Sequence, residues 1–387
     1  MKNKYLGIFE NELYGNILPF WMKHSPDWKY GGYFTCLDRK GRVYDDRKYM
    51  WLLGRMVWMF SKLYNTVEKK KEWLRLAKLG ADFMMKHGKA PDGRIYFSLT
   101  RDGRPYSMQR KIFSECFYAL GLGEYAKAAG DKIIYNDALD IFRKTVELSR
   151  NPSKLGRPRL SGQEQTSSLA VPMILLNLAE ELETPENSGY FAKIRKECVK
   201  EIRMHIRPEM KVVLETVQAD GKFIDTTEGR LVNPGHAIEA GWFLIHHALK
   251  ENDRELIKLG QNMIDWSFDI GWDKKYGGIY QFLAINGHVP VQPEWNMKYF
   301  WPVAEASYAS LLLYSLTGRK KYFDRFRKVS DYALGHFSDP EYGGWFGYLD
   351  RQGERVYGLK GTPYKAFFHI PRFLLYSINL LKQGAEK

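Results

Sequence analysis

The feature that most constrains the fold of this chain is the alternation of long and short connections between its predicted helices. Apolar residues recur at helical steps in about twelve segments. The predicted helices span 4–22, 48–65, 72–87, 111–129, 133–149, 167–183, 189–206, 235–252, 254–268, 300–316, 320–335 and 364–383. Within successive pairs the loops are long, at 23–47, 88–110, 150–166, 207–234, 269–299 and 336–363. Joints between pairs are only a few residues long, so the sequence predicts six helical hairpins.

The long loops also resemble one another. Three of them read as Gly-Gly, an aromatic strand, a turn with glycine and a return strand: GGYFTCLDRKGRVY (31–44), GGIYQFLAINGHVP (277–290) and GGWFGYLDRQGERVY (343–357). This pattern predicts β-hairpins, with shorter relatives at 91–106 and 218–232. Repetition indicates a repeat architecture, and the terminal repeats lack the polar caps of an open solenoid. We therefore predict an all-α fold, an (α/α)6 barrel with short β-hairpins in the long loops on one face, formed by residues 1–387 as a single domain.

Composition excludes several classes of protein. The chain has 387 residues, 44% of them hydrophobic, which is too apolar for disorder. A formal charge of +14 raises the question of nucleic acid, but the basic residues are scattered and match no nucleic-acid-binding module. No apolar run is long enough to span a membrane, and the charged N-terminus does not read as a signal peptide. Three widely spaced cysteines suggest neither a disulfide framework nor zinc, so we expect a cytoplasmic protein.

Polar residues embedded among aromatic ones mark the candidate site. In a barrel of this kind, the helix after each long loop begins at the cleft, and several such helices carry an isolated polar group near that end. They are Arg55, His236, Glu239, Glu305 and His369. Arg55 and Glu305 lie in apolar surroundings and are costly to bury unpaired, so they are either a structural ion pair or part of a ligand site. The His236-x-x-Glu239 pattern has no third ligand at a matching spacing, which argues against a metal site.

Together these residues favour acid–base chemistry. Two histidines in one cleft can act as base and acid near neutral pH. No serine or cysteine is paired with them as a nucleophile and no glycine-rich phosphate loop is present, so proton transfer next to a carbonyl fits best. A glycoside hydrolase is an alternative, but it needs two opposed carboxylates. A protein-binding module that has lost catalysis is a second alternative, which the intact polar set argues against.

Six blocks in the same order resemble the N-acylglucosamine 2-epimerase family. They begin GGYFTCLDRKGRVY (31–64), IFSECFYALGLGEYA (112–126), LAVPMILLNLAEELE (169–183), NPGHAIEAGWFL (233–244), PEWNMKYFWPVAEA (293–306) and DPEYGGWFGYLDRQG (339–372). The family is an (α/α)6 barrel that also contains cellobiose 2-epimerases, mannose and glucose 2-epimerases and aldose–ketose isomerases. The block-level similarity is strongest to the N-acylglucosamine 2-epimerases themselves, including the mammalian members also known as renin-binding protein.

The resemblance implies a metal-independent mechanism. The sugar ring opens, a base removes the C2 proton, and an acid returns a proton to the opposite face of the enediolate. By resemblance, His236 and His369 are the two catalytic histidines and Arg55 stabilises the oxyanion. Glu305 matches an essential glutamate, which we expect to orient His236 or Arg55. The candidate substrate-binding residues are Glu239, Tyr49, Trp51, Glu115, Met173, Trp295, Asn296 and Trp301.

Departures from the family pattern bear on the substrate. Cellobiose-active members carry an extra histidine and an asparagine on the helix matching 167–183, and Ser168–Met173 contains neither. This favours a monosaccharide, with N-acetyl-D-glucosamine and N-acetyl-D-mannosamine as the first hypothesis and unmodified D-mannose, D-glucose or D-fructose as the alternative. No cofactor is expected to be required. The loop 151–160 keeps the basic residues Lys154, Arg157 and Arg159, so ATP stays a candidate allosteric activator. A homodimer is a candidate assembly.

Overall fold

The computed structural model describes residues 2–156, 161–162 and 164–383. The helices are α1 (Lys2–Glu10), a π-helical segment (Asn11–Ile17), α2 (Leu18–His24), α3 (Met50–Thr66), α4 (Lys71–His87), α5 (Phe113–Ala129), α6 (Lys132–Arg150), α7 (Ala170–Leu182), α8 (Ser188–Met204), α9 (Pro234–Glu251), α10 (Arg254–Gly271), α11 (Phe300–Thr317), α12 (Lys320–Phe337) and α13 (His369–Gln383). Most lie within a few residues of their predicted bounds. The last helix begins at His369, five residues later than the predicted 364.

The helices form two concentric layers, which confirms the predicted (α/α)6 barrel. Helices α3, α5, α7, α9, α11 and α13 pack side by side in chain order as the inner layer, and α4, α6, α8, α10 and α12 each cover the preceding inner helix. α1 packs on α13 and completes the outer layer. The ring closes where Phe60 of α3 stacks on Phe367, just before α13, with ring centroids 4.9 Å apart.

Glycines set the closest approach within the inner layer. A Cβ added at Gly54 of α3 would lie 2.0 Å from the carbonyl oxygen of Phe117 on α5. A Cβ at Gly121 of α5 would lie 2.5 Å from the carbonyl oxygen of Gly54. Since only glycine fits at both positions, the two backbones touch, and this contact places Arg55 of α3 directly beside the Phe117 ring.

Short strands tie neighbouring loops together at one end of the barrel. They are β1 (Cys36–Leu37), β2 (Val43–Asp45), β3 (Lys48–Tyr49), β4 (Ser98–Leu99), β5 (Pro105–Ser107), β6 (Thr166–Ser168), β7 (Ile206–Arg207), β8 (Val212–Val213), β9 (Thr216–Gln218), β10 (Leu231–Val232), β11 (Leu283–Ala284), β12 (Lys298–Tyr299) and β13 (Tyr348–Leu349). Hairpins form as predicted at β1–β2 and β4–β5, and a further one forms at β7–β8.

Four pairings instead join one loop to another: β3–β4, β6–β9, β10–β11 and β12–β13. The predicted hairpins at 218–232 and 277–290 are therefore wrong. In the first segment, β9 pairs with β6 and β10 pairs with β11. In the second segment, β11 has β10 as its partner. In all four pairings, the strand just before an inner helix is held by a strand of the following loop. This arrangement fixes the cleft end of those inner helices.

Buried ion pairs repeat at the same end of the barrel. Lys48, Lys298 and Lys360 are each fully buried, and their Nζ atoms lie 2.8–2.9 Å from Asp27, Asp273 and Asp339 respectively. Each aspartate precedes a Gly-Gly pair and also accepts a hydrogen bond from an arginine of a neighbouring loop; these arginines are Arg101, Arg351 and Arg39. The three loops that resemble one another in sequence thus share an electrostatic contact in the structure. In each of them, the aspartate links the loop to a neighbouring loop.

Among the described residues, no helix combines the length and apolar character needed to cross a lipid bilayer. Cys36, Cys116 and Cys198 are all free and buried.

Candidate active site

A cavity of about 1420 Å³ opens at the end of the barrel that carries the long loops. Its walls are the first turns of the inner helices and the loop strands beside them. The predicted residues that line it are Trp51, Arg55, Met173, His236, Glu239, Trp301 and His369. The structure therefore brings both histidines, the arginine and one predicted carboxylate to a single space, with Glu305 directly behind His369.

Glu305 holds His369 in place. Its Oε1 lies 2.7 Å from Nδ1 of His369 and also accepts a 2.7 Å hydrogen bond from Arg372, while its Oε2 accepts one of 2.9 Å from the Trp242 indole. The expectation that Glu305 orients His236 or Arg55 is wrong, because its carboxylate is fully engaged by these three groups. Arg372 also donates to Glu239 at 2.5 Å, so two buried carboxylates share one guanidinium.

His369 is set up as a base. Burial, reinforced by the positive charges of Arg55 and Arg372, holds the pKa of His369 well below its usual value despite the nearby Glu239. The ring is therefore neutral at pH 7. Because the Glu305 carboxylate can only accept, the ring proton resides on Nδ1 and Nε2 keeps its lone pair. No described residue hydrogen-bonds to that Nε2, which leaves it available to a substrate.

His236 has the opposite electrostatic environment. Its backbone amide donates to the side chain of Asn233, which caps the start of α9, and its Nδ1 lies 3.0 Å from Oε2 of Glu215. Burial opposes protonation, but Glu215, assisted by Glu239, outweighs burial and raises the pKa of His236. His236 therefore holds a proton more strongly than His369, a difference that suits a pair acting as acid and base.

One indole packs against both histidines. The Trp301 ring centroid lies 5.3 Å from that of His236 and 5.8 Å from that of His369. All three rings line the same cavity, so a substrate that contacts Trp301 lies close to both imidazoles.

Arg55 is a cation held without a counter-ion. Its guanidinium lies 4.0 Å from the Phe117 ring centroid, 4.5 Å from that of Trp51 and 5.1 Å from that of Phe368. Its Nε is buried with no hydrogen-bond partner, and no ion pair to a described residue is formed. Burial lowers the pKa of Arg55 to about 9, which still leaves it charged at neutral pH. An unpaired cation at a cavity wall is placed to bind an oxyanion.

Glu239, Glu305 and His369 offer three ligand atoms within 4.8 Å of one another, a spacing that a metal ion could bridge. Arg372 already fills that role, since its Nη2 lies 2.5 Å from Glu239, 2.7 Å from Glu305 and 3.3 Å from Nδ1 of His369. A metal ion would have to displace a buried guanidinium from the same atoms. The donor set therefore fits an arginine cation rather than a metal.

Four predicted substrate-binding residues do not line the cavity: Tyr49, Glu115, Trp295 and Asn296. The Tyr49 hydroxyl donates to Asp45 at 3.1 Å, on the loop side of β3. Glu115 is fully buried and accepts from Arg94 at 2.5 Å, so it is half of a structural ion pair. Trp295 stacks on a loop tyrosine with ring centroids 5.9 Å apart. These residues support the walls of the cleft.

The sequence prediction missed two site residues, Arg372 and Glu215. Arg372 lies three positions after His369 on one face of α13, a helical spacing that marks it as a neighbour. Glu215 lies in the irregular link between β8 and β9, where no periodic pattern indicates which way a side chain points. Its pairing with His236 depends on the β6–β9 contact and has no local signal.

Comparison with known proteins gives consistent results across sequence and structure. The sequence model of the family described as N-acylglucosamine 2-epimerase (GlcNAc 2-epimerase) matches residues 32–372. The N-acylglucosamine 2-epimerase of Mus musculus is 43% identical over 94% of this chain and 89% of its own length. That of Homo sapiens is 42% identical over 92% of this chain and 86% of its own. The solved cellobiose 2-epimerase of Spirochaeta thermophila superimposes with a TM-score of 0.83 at 20% identity, over 99% of this chain and 98% of that one, which shows a shared fold.

Proposed function

The chain belongs to the N-acylglucosamine 2-epimerase family, and we propose that it interconverts N-acetyl-D-glucosamine and N-acetyl-D-mannosamine by moving the proton on C2. The observation that carries this proposal is the pair of histidines that pack against Trp301 in one cavity, one with a lowered and one with a raised pKa. Inverting C2 requires a base on one face of the carbon and an acid on the other, and such a pair supplies both.

The reaction begins on the open-chain sugar, whose C1 carbonyl makes the C2 proton acidic. Nε2 of neutral His369 takes that proton, and the electrons of the C2–H bond move onto the carbonyl oxygen to give an enolate that keeps the acetamido group on C2. Arg55 stabilises the negative oxygen because its guanidinium borders the cavity and forms no ion pair with a described residue. Protonated His236 then donates from Nε2 to the opposite face of C2. No electron leaves the sugar, so the step needs no oxidant.

Each turnover exchanges the protonation states of the two histidines. The reverse reaction runs from the state in which His236 is neutral and His369 is protonated. Because the cavity is open and His236 retains 28% side-chain exposure, its ring can exchange protons with water between turnovers. A product formed in D2O should therefore carry deuterium at C2.

That exchange tests the proposal. The protein is incubated in D2O with N-acetylmannosamine, mannose or glucose without added metal, and the C2 proton is followed by NMR. We expect conversion of N-acetylmannosamine with deuterium at C2. Exchange in none of the three sugars would reject the whole class of reaction, and exchange in mannose but not N-acetylmannosamine would replace this substrate with the alternative.

The alternative substrate is an unmodified aldose, epimerised at C2 or isomerised to a ketose. Both outcomes pass through the same enediolate, and an isomerase differs in returning the carbon-bound proton to C1 while the hydroxyl proton on O2 moves to O1. The cavity volume of about 1420 Å³ exceeds the volume that a single sugar needs, so the volume does not discriminate against an unmodified aldose. An acetamido group is therefore not required to complete the packing.

Glycoside hydrolysis finds less support in the geometry. That reaction uses two carboxylates that flank the scissile bond about 5–10 Å apart. Glu239 and Glu305 instead lie on the same guanidinium of Arg372, at 2.5 and 2.7 Å. Carboxylates paired to one cation do not face each other across a substrate.

We also propose that no metal or organic cofactor is required, which is supported by the way Arg372 supplies the cation that the buried carboxylates need. Activity should be unchanged by EDTA. Free, buried cysteines are typical of a reducing compartment and support a cytoplasmic location.

Activation by ATP and dimerisation stay predictions. Of the basic loop residues, Lys154 is paired with Glu147, whereas Arg157 and Arg159 lie outside the described residues. Measuring the rate with and without ATP tests the first prediction. Light scattering of the purified chain tests the homodimer.

A further inference from the structure

We infer that Glu215 is the positioning residue that keeps His236 protonated in the resting enzyme, because no described cation is paired with Glu215 whereas Arg372 is paired with Glu305. This inference rests on the proposed function and assigns a role to a residue outside the sequence-predicted site.

The two histidines have the same local arrangement. Nδ1 of His236 lies 3.0 Å from Glu215, and Nδ1 of His369 lies 2.7 Å from Glu305. A carboxylate on Nδ1 fixes the ring orientation and leaves Nε2 to face the substrate in both cases. The rings differ in burial, at 28% side-chain exposure for His236 against 10% for His369, and the two carboxylates add a second difference.

The carboxylates differ in what else they bind. Glu305 gives its Oε1 to the Arg372 guanidinium, which also pairs with Glu239, so the positive charge of Arg372 offsets part of the negative charge that Glu305 presents to His369. The Ser168 hydroxyl donates a hydrogen bond of 3.4 Å to Glu215. No arginine or lysine among the described residues forms an ion pair with Glu215. A hydroxyl donates a hydrogen bond but carries no charge, so Glu215 acts on His236 with its full charge.

The backbone of Glu215 is clamped on both sides. Its amide donates to the carbonyl of Leu231 at 3.0 Å, and its carbonyl accepts from Leu169 at 2.9 Å. Leu231 begins β10, just ahead of α9, and Leu169 precedes α7. The residue is therefore fixed between two inner helices, and its side chain, only 12% exposed, is aimed at the start of α9.

Other charged groups near His236 do not account for the asymmetry. Glu239 follows one turn later on α9, but it is paired with Arg372. His369 faces His236 from α13 and disfavours a second positive charge. α11 presents Trp301, which is uncharged, and Arg55 of α3 is among the charges that lower the pKa of His369. Glu215 is the carboxylate in hydrogen-bond contact with His236 that no cation neutralises.

The test replaces the charge of Glu215 and keeps its shape. In Glu215→Gln the amide oxygen can still accept from Nδ1 of His236, but the negative charge is gone. The histidine pKa values are measured by NMR titration of 15N-histidine-labelled protein, with His236→Gln to assign the signal. We expect the His236 pKa to fall by about one unit or more, as the loss of an adjacent opposite charge predicts. The alkaline limb of kcat/KM should move to lower pH by the same amount while the acid limb stays in place.

Two variants separate this role from a structural one. Glu215→Asp retains the charge, so the pKa of His236 should stay raised even if kcat falls. Glu294→Gln removes another carboxylate that lines the cavity but bonds to neither histidine, and it should leave both limbs unmoved.

The outcomes distinguish this inference from the proposed function, because the titration needs no substrate. A His236 pKa that is the same in wild type and Glu215→Gln, with both proteins folded, would overturn the inference whether or not sugar is turned over. A Glu215-dependent pKa in a protein that exchanges no sugar proton would support the Glu215–His236 pair and reject the proposed reaction.

Discussion

At the scale of single residues, the candidate site contains one arginine that is paired with carboxylates and one arginine that is not. Arg372 forms ion pairs with Glu239 and Glu305, whereas Arg55 packs among aromatic rings and forms no ion pair with a described residue. An arginine held against ring faces is stabilised by cation–π contact without losing its positive charge. The chain thus separates the arginine that holds the structure from the arginine that is free to meet an oxyanion.

Arg55→Lys should therefore impair catalysis more than folding. Lysine keeps a charge but is not planar, so it cannot stack among the three rings and present the same donors. We expect kcat to fall about 100- to 1000-fold, as on loss of an oxyanion-stabilising donor. Arg150 also borders the cavity but is paired with Glu197, and Arg150→Lys should retain kcat. Equal losses in both variants would contradict the oxyanion role.

At the scale of secondary-structure elements, the glycine contact between α3 and α5 determines where Arg55 stands. Gly54→Ala would put a methyl group 2.0 Å from the Phe117 carbonyl oxygen, so the helices must separate. We expect unfolding at a lower temperature and a loss of activity, since Arg55 is the next residue. Overpacking of this kind costs about 1–3 kcal/mol or more.

Gly335 is the matched control. It lies on the exposed side of α12, and a Cβ there would meet nothing within 4 Å. Gly335→Ala should raise the free energy of unfolding by about 1 kcal/mol through helix propensity alone. Thermal melts of both variants measure the contrast, and a stabilised Gly54→Ala protein would contradict the close-packing account.

The helices and strands also differ in how well the sequence predicts them. Helix positions follow from periodicity, which is local, and His236, His369 and Arg55 stand out because each interrupts an apolar helix face. The partners of strands β9, β10 and β11 could not be read from 218–232 or 277–290, because each pairs with a strand from a different loop. For the same reason, the partner of Glu305 was mispredicted and Glu215 was missed, since both contacts join residues that are distant in the chain.

At the scale of the whole molecule, histidine burial makes stability depend on pH. Burial lowers the pKa of His205, of His369 and of His246, that of His246 to about 4. In the unfolded chain these rings take up protons below about pH 6.5. In the folded protein they stay neutral, so the unfolded state binds more protons and stability falls as pH drops below that value.

We expect the melting temperature to decrease between pH 7 and pH 5. His246→Gln should flatten that slope, even though it also removes the hydrogen bond with Tyr308 and lowers stability overall. Each buried neutral histidine contributes up to about 1.4 kcal/mol per pH unit in this window. A slope that is unchanged in His246→Gln would show that this ring titrates normally in the folded state.

The whole barrel brings the two histidines to the wall of one cavity, and inversion needs both of them if each serves one face of C2. The most direct measurement is conversion and C2 deuteration of each N-acetylhexosamine epimer in D2O, for wild type, His236→Gln and His369→Gln. We expect deuterated product from wild type and no conversion by either variant. Each variant should exchange the C2 proton of one epimer only, and the two variants should exchange different ones. The two-histidine mechanism would be contradicted by a variant that still converts the sugar at a near wild-type rate, or by conversion that retains the original C2 hydrogen.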